Sequence, residues 1–264
     1  MSQPITVSAL TSHLARLVEP VVATCPRPDT AAYFQTLTQG LQLNLGRHTL
    51  SQVLLGLGQG EQDWSAAYRL FAEARFDLGP GRRALLAAVL AAHEPDAPLP
   101  VVVDATQLPR TSRKLVGVGL GRCPRNPVWA PGLHYQQRWE GLSALLPISA
   151  QGDSRAVPLV FTPAPTPRAT PWPAHPPCTE GEAAFGTVAQ LNDDLTTLGQ
   201  PGRQVLLLGD GQYSSAPFLK ALPANVHLLA RCARNRALYA LPPTVPPVGG
   251  PASTGPRRCA PMPT

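Results

Sequence analysis

Hydrophobic residues in the first third of the chain recur every three to four positions, the spacing that places them on one face of an α-helix. Five stretches between residues 8 and 93 show this pattern, from LTSHLARLVEPVV at the start to RRALLAAVLAAH at the end. The pattern predicts an all-helical region at residues 1–95.

Two of these stretches are short and lie on either side of a glycine-containing turn. Thr49–Gly56 and Asp63–Ala74 are predicted helices, and Asp63 is the predicted N-cap of the second. Two short helices around such a turn fit a helix-turn-helix, a motif that binds DNA. An ordinary helical bundle with an aromatic core fits the same pattern, so both interpretations stay open. Under the first, the residues expected to face DNA are Arg47, His48, Arg69 and Arg75.

The pattern changes after the prolines at positions 95, 98 and 100. Apolar and β-branched runs now predict six strands. In chain order these runs are PVVVDATQLPR, KLVGVGLG, GLSALLPIS, RAVPLVFTP, QVLLLGDGQYS and VHLLARCA. Helices are predicted at residues 180–198 and 216–222, between the later strands. This order predicts an α/β domain with a mixed sheet at residues 96–242.

Two proline-rich segments fit neither period. Residues 163–177 contain the run PAPTPRATPWPAHPP and are predicted to be extended and exposed. Residues 243–264 show no hydrophobic periodicity, so they are predicted to be disordered.

Two of the predicted strands end in the same way. Asp104 follows the apolar run of VVVDAT, and Asp210 follows that of LLLGDGQYS. Because ligands of α/β sheets bind at the carboxyl ends of strands, the two carboxylates converge if their strands are neighbours. Paired carboxylates bind hard cations such as Mg²⁺, which promote phosphoryl transfer. An aspartate after a strand is also a common N-cap or turn residue, so the pattern alone leaves a structural role open.

Charge and cysteine content narrow the possible partners. The chain has 264 residues, with 22 Lys and Arg against 16 Asp and Glu, so its formal net charge is +6. This balance favours a polyanionic partner. The five cysteines are scattered and form no CxxC pair, which argues against a disulfide framework and a structural zinc site. Neither a signal peptide nor a membrane span is recognisable in the sequence, so we expect a cytoplasmic protein with no membrane partner.

Three sequence elements are specific in combination: DATQLPRTSRK, GDGQYS and LLARCARNRALY. With them, the chain resembles the DDE transposases of bacterial insertion sequences over about residues 45–242. The resemblance implies an RNase H-like catalytic domain with Mg²⁺ or Mn²⁺ as its cofactor. It also implies double-stranded DNA as partner, both at the terminal repeats and at the target, and hence a location at the nucleoid. Self-association is left open.

The resemblance also implies roles for individual residues. Asp104 matches the first catalytic acid and Asp210 the second, and both would bind the metal ion. His134 and Gln137 lie in a further element similar to the family, without a role that the sequence reveals. The basic residues expected to bind DNA are Arg47, Arg110, Arg113, Lys114, Arg138, Arg231, Arg234 and Arg236. A solvated surface charge is the alternative for each of them.

The chain departs from the family pattern after Asp210. The third acid of the family is a glutamate on a downstream helix, whereas residues 211–264 contain neither Asp nor Glu. The acidic residues upstream, Glu180, Glu182, Asp193 and Asp194, stand in the wrong order and are predicted on the first turn and surface of a helix. The composition of residues 243–264 suits GC-rich DNA read out of frame. We therefore interpret the chain as a truncated or frameshifted transposase and expect little or no strand cleavage with Mg²⁺.

Three other interpretations compete with an impaired transposase. A non-catalytic fragment could bind the DNA ends of the element and regulate transposition. A nuclease of the same fold, such as a resolvase, is disfavoured by the DATQLPRTSRK element and the helical region. The third alternative is that the chain is an inert relic of a decayed element.

Overall fold

The computed structural model describes residues 7–123, 126–127, 129–149 and 152–232, with side chains from residue 12 onward. The predicted helical N-terminal region is confirmed. Its helices are α1 (Val7–Val22), α2 (Pro28–Leu43), α3 (Leu50–Gly56), α4 (Ser65–Ala72) and α5 (Gly79–Leu90). The predicted tail at residues 243–264 lies outside the described residues.

Helices α2, α3 and α4 enclose a small core of their own. Its buried members are Leu37, Val53, Leu54, Ala67 and Leu70. The Thr49 side chain accepts a hydrogen bond from the backbone N–H of Gln52 and so caps α3. Asp63 accepts one from the N–H of Ser65 at 2.9 Å, although Trp64 is the N-cap residue of α4. A bundle interpretation suits this core, and the helix-turn-helix interpretation stays a prediction.

All six predicted strands are present. They are β1 (Leu99–Pro109), β2 (Val118–Arg122), β3 (Leu133–Pro147), β4 (Ser154–Pro163), β5 (Val205–Gly209) and β6 (Val226–Ala230). Helix α6 (Glu180–Thr197) lies between β4 and β5. A 3-10 turn (Gly211–Ser214) and helix α7 (Ala216–Ala221) connect β5 to β6.

Strand β1 lies at the centre of the sheet. It pairs with β3 in antiparallel fashion on one side and with β5 in parallel fashion on the other, and β6 pairs in parallel with β5. The other edge of β3 pairs first with β2 and then with β4. This six-stranded mixed sheet, flanked by helices and preceded by a helical region, is consistent with the predicted RNase H-like fold.

The two faces of the sheet differ in burial. On the face that we call the covered face, Val101, Val103, Leu142 and Leu207 are buried beneath helices, with α6 packed on β1, β3 and β4. Their neighbours in the sequence, such as Val102 and Leu208, point to the opposite face and are only half-buried. We call this second side the open face. Because side chains alternate along a strand, every second residue of β1 and β5 belongs to it.

Helix α5, the last helix of the region 1–95 that we predicted to be helical, packs into the core of the sheet. Leu86, Val89 and Leu90 are members of the main hydrophobic core. Arg82 of α5 also binds Asp194 of α6 through two hydrogen bonds, of 2.5 and 3.1 Å. The predicted surface position of Asp194 is therefore wrong: its side chain is buried because a guanidinium compensates its charge.

The proline-rich segment at residues 163–177 is less exposed than predicted. Thr170 donates its backbone N–H to the carbonyl of Val118 in β2 at 2.8 Å and accepts one from Gly117 at 2.9 Å. Trp172 packs edge-on against Trp139 and lies so close to Gly117 that a Cβ there would stand 2.5 Å from the indole ring. The proline-rich segment is therefore attached to β2 and to the residue before it through backbone hydrogen bonds and through the packing of Trp172.

No helix among the described residues is both long and apolar enough to cross a lipid bilayer.

Candidate active site

The two aspartates lie side by side on the open face. Strands β1 and β5 pair in parallel with Val102 opposite Leu208. Asp104 and Asp210 are each two residues farther along the chain, so the same register would place them opposite each other. Adjacent strands are about 4.8 Å apart, so the two carboxylates share one small region of the sheet. The condition under which the two carboxylates converge, that their strands are neighbours, is therefore met.

The position of Asp104 within its strand differs from the prediction. We expected it at the carboxyl end of a strand, but β1 continues to Pro109 because the long strand β3 pairs with it as far as Gln136. Strand β5 ends at Gly209. Asp104 therefore lies where β1 extends beyond its parallel neighbour, so its side chain faces the turn that carries Asp210.

The pKa of Asp104 reflects its burial and its closeness to Asp210. Partial burial raises the pKa of Asp104, and the nearby negative charge of Asp210 raises that pKa further. A backbone hydrogen bond from Ala105 opposes both effects. A cation bound between the two aspartates would relieve the repulsion.

Asp210 starts the 3-10 turn that follows β5. Its carboxylate accepts a hydrogen bond from the backbone N–H of Gln212 at 2.8 Å, so it is the N-cap of the turn. The structural role that we left open for a strand-ending aspartate thus applies to Asp210. It does not exclude a second role, because the side chain is exposed and an N-cap uses only part of the acceptor capacity of a carboxylate.

A third carboxylate lies on the covered face at the level of Asp104. Glu140 of β3 is fully buried, and its Oε1 accepts a hydrogen bond of 2.8 Å from the hydroxyl of Tyr213. Burial raises the pKa of Glu140 to about 7, against the opposing effect of that hydrogen bond. Burial and the charge of Glu140 also raise the pKa of the Tyr213 hydroxyl, which therefore stays protonated and donates.

The basic residues after Asp104 lie along and beyond β1. Arg110 is six residues past Asp104, about 20 Å along an extended strand. Its guanidinium donates to Gln137 at 2.8 Å, so Arg110 is partly engaged. Arg113 is exposed and stacks over the ring of Tyr135 at 4.5 Å, and Lys114 is exposed beside it. Arg113 and Lys114 are thus exposed cations just past the end of β1, with the half-buried Arg110 beside them.

Arg138 points into the protein. Its guanidinium donates to the carbonyls of Ala164 and Cys178 and lies 3.6 Å from a carboxylate oxygen of Glu180. These contacts hold the proline-rich segment against the start of α6.

Arg231 is exposed and lies next to Asp210 in space. Its backbone N–H donates to the carbonyl of Gly209 at 3.3 Å. Arg47 is exposed in the loop before α3, within the helical region. Arg234 and Arg236 lie outside the described residues. Of the predicted cations that the structure describes, Arg231 is thus the one that lies close to the aspartate pair.

The aspartate pair fits a hard divalent cation. Carboxylate oxygens are the protein ligands that Mg²⁺ prefers, and Mg²⁺ commonly uses one or two of them together with water and substrate phosphates. The repulsion that raises the pKa of Asp104 is what a bound cation would offset. Within the described residues, however, no cluster of three His, Cys, Asp or Glu side chains is placed to bind a metal ion. Two carboxylates alone fit a single cation that is only partly held by protein.

Sequence reasoning missed the Glu140–Tyr213 pair. Glu140 stands in phase with Leu142 and Ala144, which are buried on the covered face. An acid in phase with an apolar alternation is the signal that could have revealed it. Tyr213 lies within the GDGQYS element, but nothing in the sequence connects it to a residue 73 positions earlier.

A model of the DDE superfamily endonuclease family matches residues 20–264 of the chain. The match includes both aspartates and extends beyond the region 45–242 at each end. None of the curated protein sequences compared with the chain is significantly similar to it.

Proposed function

The chain belongs to the DDE superfamily endonucleases, and we propose that within them it is a transposase of the bacterial insertion-sequence type, located at the nucleoid. The family as a whole acts on DNA and uses divalent metal ions. One observation supports the assignment of the site more than any other. The pairing register of β1 and β5 leads to Asp104 and Asp210 side by side on an open sheet face.

In this proposal Asp104 and Asp210 hold Mg²⁺ or Mn²⁺ at the scissile phosphodiester. The cation supplies Lewis-acid stabilisation of the charge that develops during phosphoryl transfer. Asp104 is the more rigidly placed ligand, because its strand is hydrogen-bonded to β3 on one side. Asp210 presents its remaining oxygen lone pairs from the turn.

The exposed cations bind and orient the DNA. Arg113 and Lys114 lie at one end of β1 and are proposed to hold phosphates away from the reaction centre. Arg231 lies beside the Asp210 turn and is proposed to neutralise a phosphate near the scissile bond. Arg110 is proposed as an auxiliary DNA contact, because its guanidinium is partly engaged by Gln137. Arg234 and Arg236 come shortly after Arg231 in the sequence and are proposed to bind DNA as well.

We further propose that the chain cleaves DNA weakly. The sequence contains no acidic residue after Asp210. A catalytic centre with two carboxylates would hold a second metal ion poorly, so the attacking oxygen would be less well placed. A displacement of about 1 Å can reduce the rate roughly 100-fold.

The absence of acidic residues at positions 211–264 also favours a second candidate function, that of a DNA-binding regulator of transposition. With no acid downstream of Asp210 and a basic net charge of +6, the chain can occupy the ends of an element without cutting them. Such a fragment would compete with an intact transposase for the same DNA.

The test compares DNA binding with DNA cleavage. Gel-shift titrations would use DNA from both sides of the coding sequence and an unrelated duplex of equal length and composition. Nicking of a supercoiled plasmid that carries the same flanks would be followed with Mg²⁺ and with Mn²⁺. The Asp104→Asn and Asp210→Asn variants serve as matched controls.

We expect preferential binding to the flanking DNA, which the two variants retain, and nicking near background with Mg²⁺. Equal affinity for flanking and unrelated DNA would contradict a transposase. Efficient nicking that Asp104→Asn abolishes would instead contradict the proposed impairment.

A further inference from the structure

A hydrogen bond connects β3 with the turn that follows β5, the segments on either side of β1 at the level of Asp104. Glu140 belongs to β3, on one side of β1, and Tyr213 belongs to the turn that follows β5, on the other side. The Tyr213 hydroxyl donates to Glu140 Oε1 at 2.8 Å, and both side chains are buried, with 0% and 1% of their surface exposed.

The register shows that this bond passes directly behind Asp104. Asp104 pairs with Gly141 of β3, and Ala105 pairs with Glu140. Because successive side chains point to opposite faces, Asp104 lies on the open face while Glu140 lies on the covered face, one residue away. The Glu140–Tyr213 bond therefore spans β1 underneath the strand segment that carries Asp104.

Tyr213 also determines the path of the chain around Asp210. Its ring lies against Gly209, where a Cβ would be only 2.9 Å from the Tyr213 Cδ2 atom. Gly209 immediately precedes Asp210, and Tyr213 follows it by three residues. The ring also packs against Phe218 of α7, with centroids 5.9 Å apart. One buried ring thus contacts the residue before Asp210 and the helix after the turn.

The chemistry of the pair is unusual for a feature that only fills space. Glu140 Oε2 is buried and has no hydrogen-bond partner within the described part of the chain. Replacing a buried acid and its partner by apolar residues of similar volume is often neutral or stabilising. An apolar contact, however, tolerates sliding, whereas a short hydrogen bond fixes the distance and direction between two atoms.

We propose that Glu140 and Tyr213 are positioning residues that hold the Asp210 turn in register with Asp104, so that both carboxylates reach one cation. This inference rests on the proposed metal-binding role of the two aspartates. Neither residue touches the DNA or the cation, since both are buried on the covered face.

The first variant is Tyr213→Phe, which removes the hydroxyl and keeps the ring. Hydrogen exchange, followed by NMR, reports the turn through the amide of Gln212, which donates to Asp210. Loss of one buried hydrogen bond corresponds to about a tenfold change in a local opening equilibrium. We expect exchange at Gln212 to accelerate by about that factor, with β1 and β3 unaffected. The matched control is Tyr68→Phe, at an exposed tyrosine of α4.

Mn²⁺ binding, measured by electron paramagnetic resonance with the metal alone, is the second readout. Tyr213→Phe should weaken Mn²⁺ binding several-fold, and Tyr68→Phe should not change it. Glu140→Gln keeps a side-chain oxygen that accepts from Tyr213, so this variant should retain both the exchange rate and the affinity. Glu140→Leu should resemble Tyr213→Phe.

The proposal is overturned if Tyr213→Phe lowers the unfolding temperature but leaves Gln212 exchange and Mn²⁺ affinity unchanged. It is also overturned if Glu140→Gln is as damaging as Tyr213→Phe, because charge rather than the hydrogen bond would then matter. A different result separates the two proposals. If the unmodified chain binds Mn²⁺ no better than Asp104→Asn, the metal site is wrong, and the exchange data alone decide whether the pair holds the turn.

Discussion

The two faces of the central sheet carry acidic residues at the same level, in opposite surroundings. Asp104 is exposed on the open face beside Asp210, whereas Glu140 is fully buried on the covered face, one register position away. Burial is the first cause that raises the pKa of each, and it raises the pKa of Glu140 to about 7. An exposed carboxylate beside a second one is placed to bind a cation. The same group on the covered face is held near neutrality and connects elements of the fold.

The largest effect is expected beneath the covered face, at α6. Asp194 is buried and paired with Arg82, whereas its neighbour Asp193 is exposed. Asp194→Ala leaves a guanidinium without its partner and should lower the free energy of unfolding by about 3–5 kcal/mol. Asp193→Ala should change it by less than about 0.5 kcal/mol. Urea unfolding followed by circular dichroism measures both, and equal effects would contradict the assigned pairing.

A neighbouring pair of leucines in β5 compares the two faces directly. Leu207 is fully buried on the covered face, and Leu208 is half-buried on the open face. Leu207→Ala creates a cavity and should cost about 2–5 kcal/mol of stability. Leu208→Ala should cost clearly less, since solvent can fill the space. If chemical denaturation gave the reverse order, the assignment of the faces would be wrong.

The buried Glu140 should make stability depend on pH. Its pKa is raised from the ordinary 4.5 to about 7 in the folded chain, so the folded state binds more protons between these values. Stability is therefore highest below about pH 4.5 as far as Glu140 is concerned, and it falls as the pH rises to about 7, by about 3 kcal/mol. Unfolding titrations across this range should show the slope. In Glu140→Gln the slope should shrink, and an unchanged slope would assign it to another group.

A substitution on the open face should change metal binding rather than the free energy of unfolding. Asp104→Asn removes one of two carboxylate ligands and should weaken Mn²⁺ binding by about 100-fold, equivalent to about 2.7 kcal/mol. Its free energy of unfolding should rise or stay constant, since repulsion from Asp210 is relieved. Calorimetric titration with Mn²⁺ and thermal unfolding test the two parts. A large loss of stability without a loss of binding would place Asp104 among the structural residues.

Much of the fold could be predicted because the hydrophobic period reports local burial. The buried residues Val188, Leu191 and Leu195 give α6 a helical period, and Thr179 with Glu182 forms a capping box at its start. The continuous apolar runs at residues 101–103 and 205–208 indicate strands, although only the structure shows that alternate residues in each run are buried. Asp104 and Asp210 could be selected as candidates because each follows such a run.

Other features escaped prediction because they depend on residues far apart in the chain. The Arg82–Asp194 pair joins positions 112 residues apart. The helical period places Asp194 in phase with the buried Leu191, unlike Asp193, but no local pattern reveals the arginine that compensates its charge. The attachment of Trp172 to Gly117 depended on the path of a proline-rich segment that has no period of its own.

The sequence by itself determined the elements, the two aspartates and the absence of any acidic residue beyond Asp210, since each of these can be read from residues adjacent in the chain. Only the tertiary structure decided that β1 extends past β5, that Asp104 faces the Asp210 turn, and that Glu140 and Tyr213 meet behind it. The physical reason is that strand pairing and side-chain burial join distant segments. The register between β1, β3 and β5 then determines which side chains share a face.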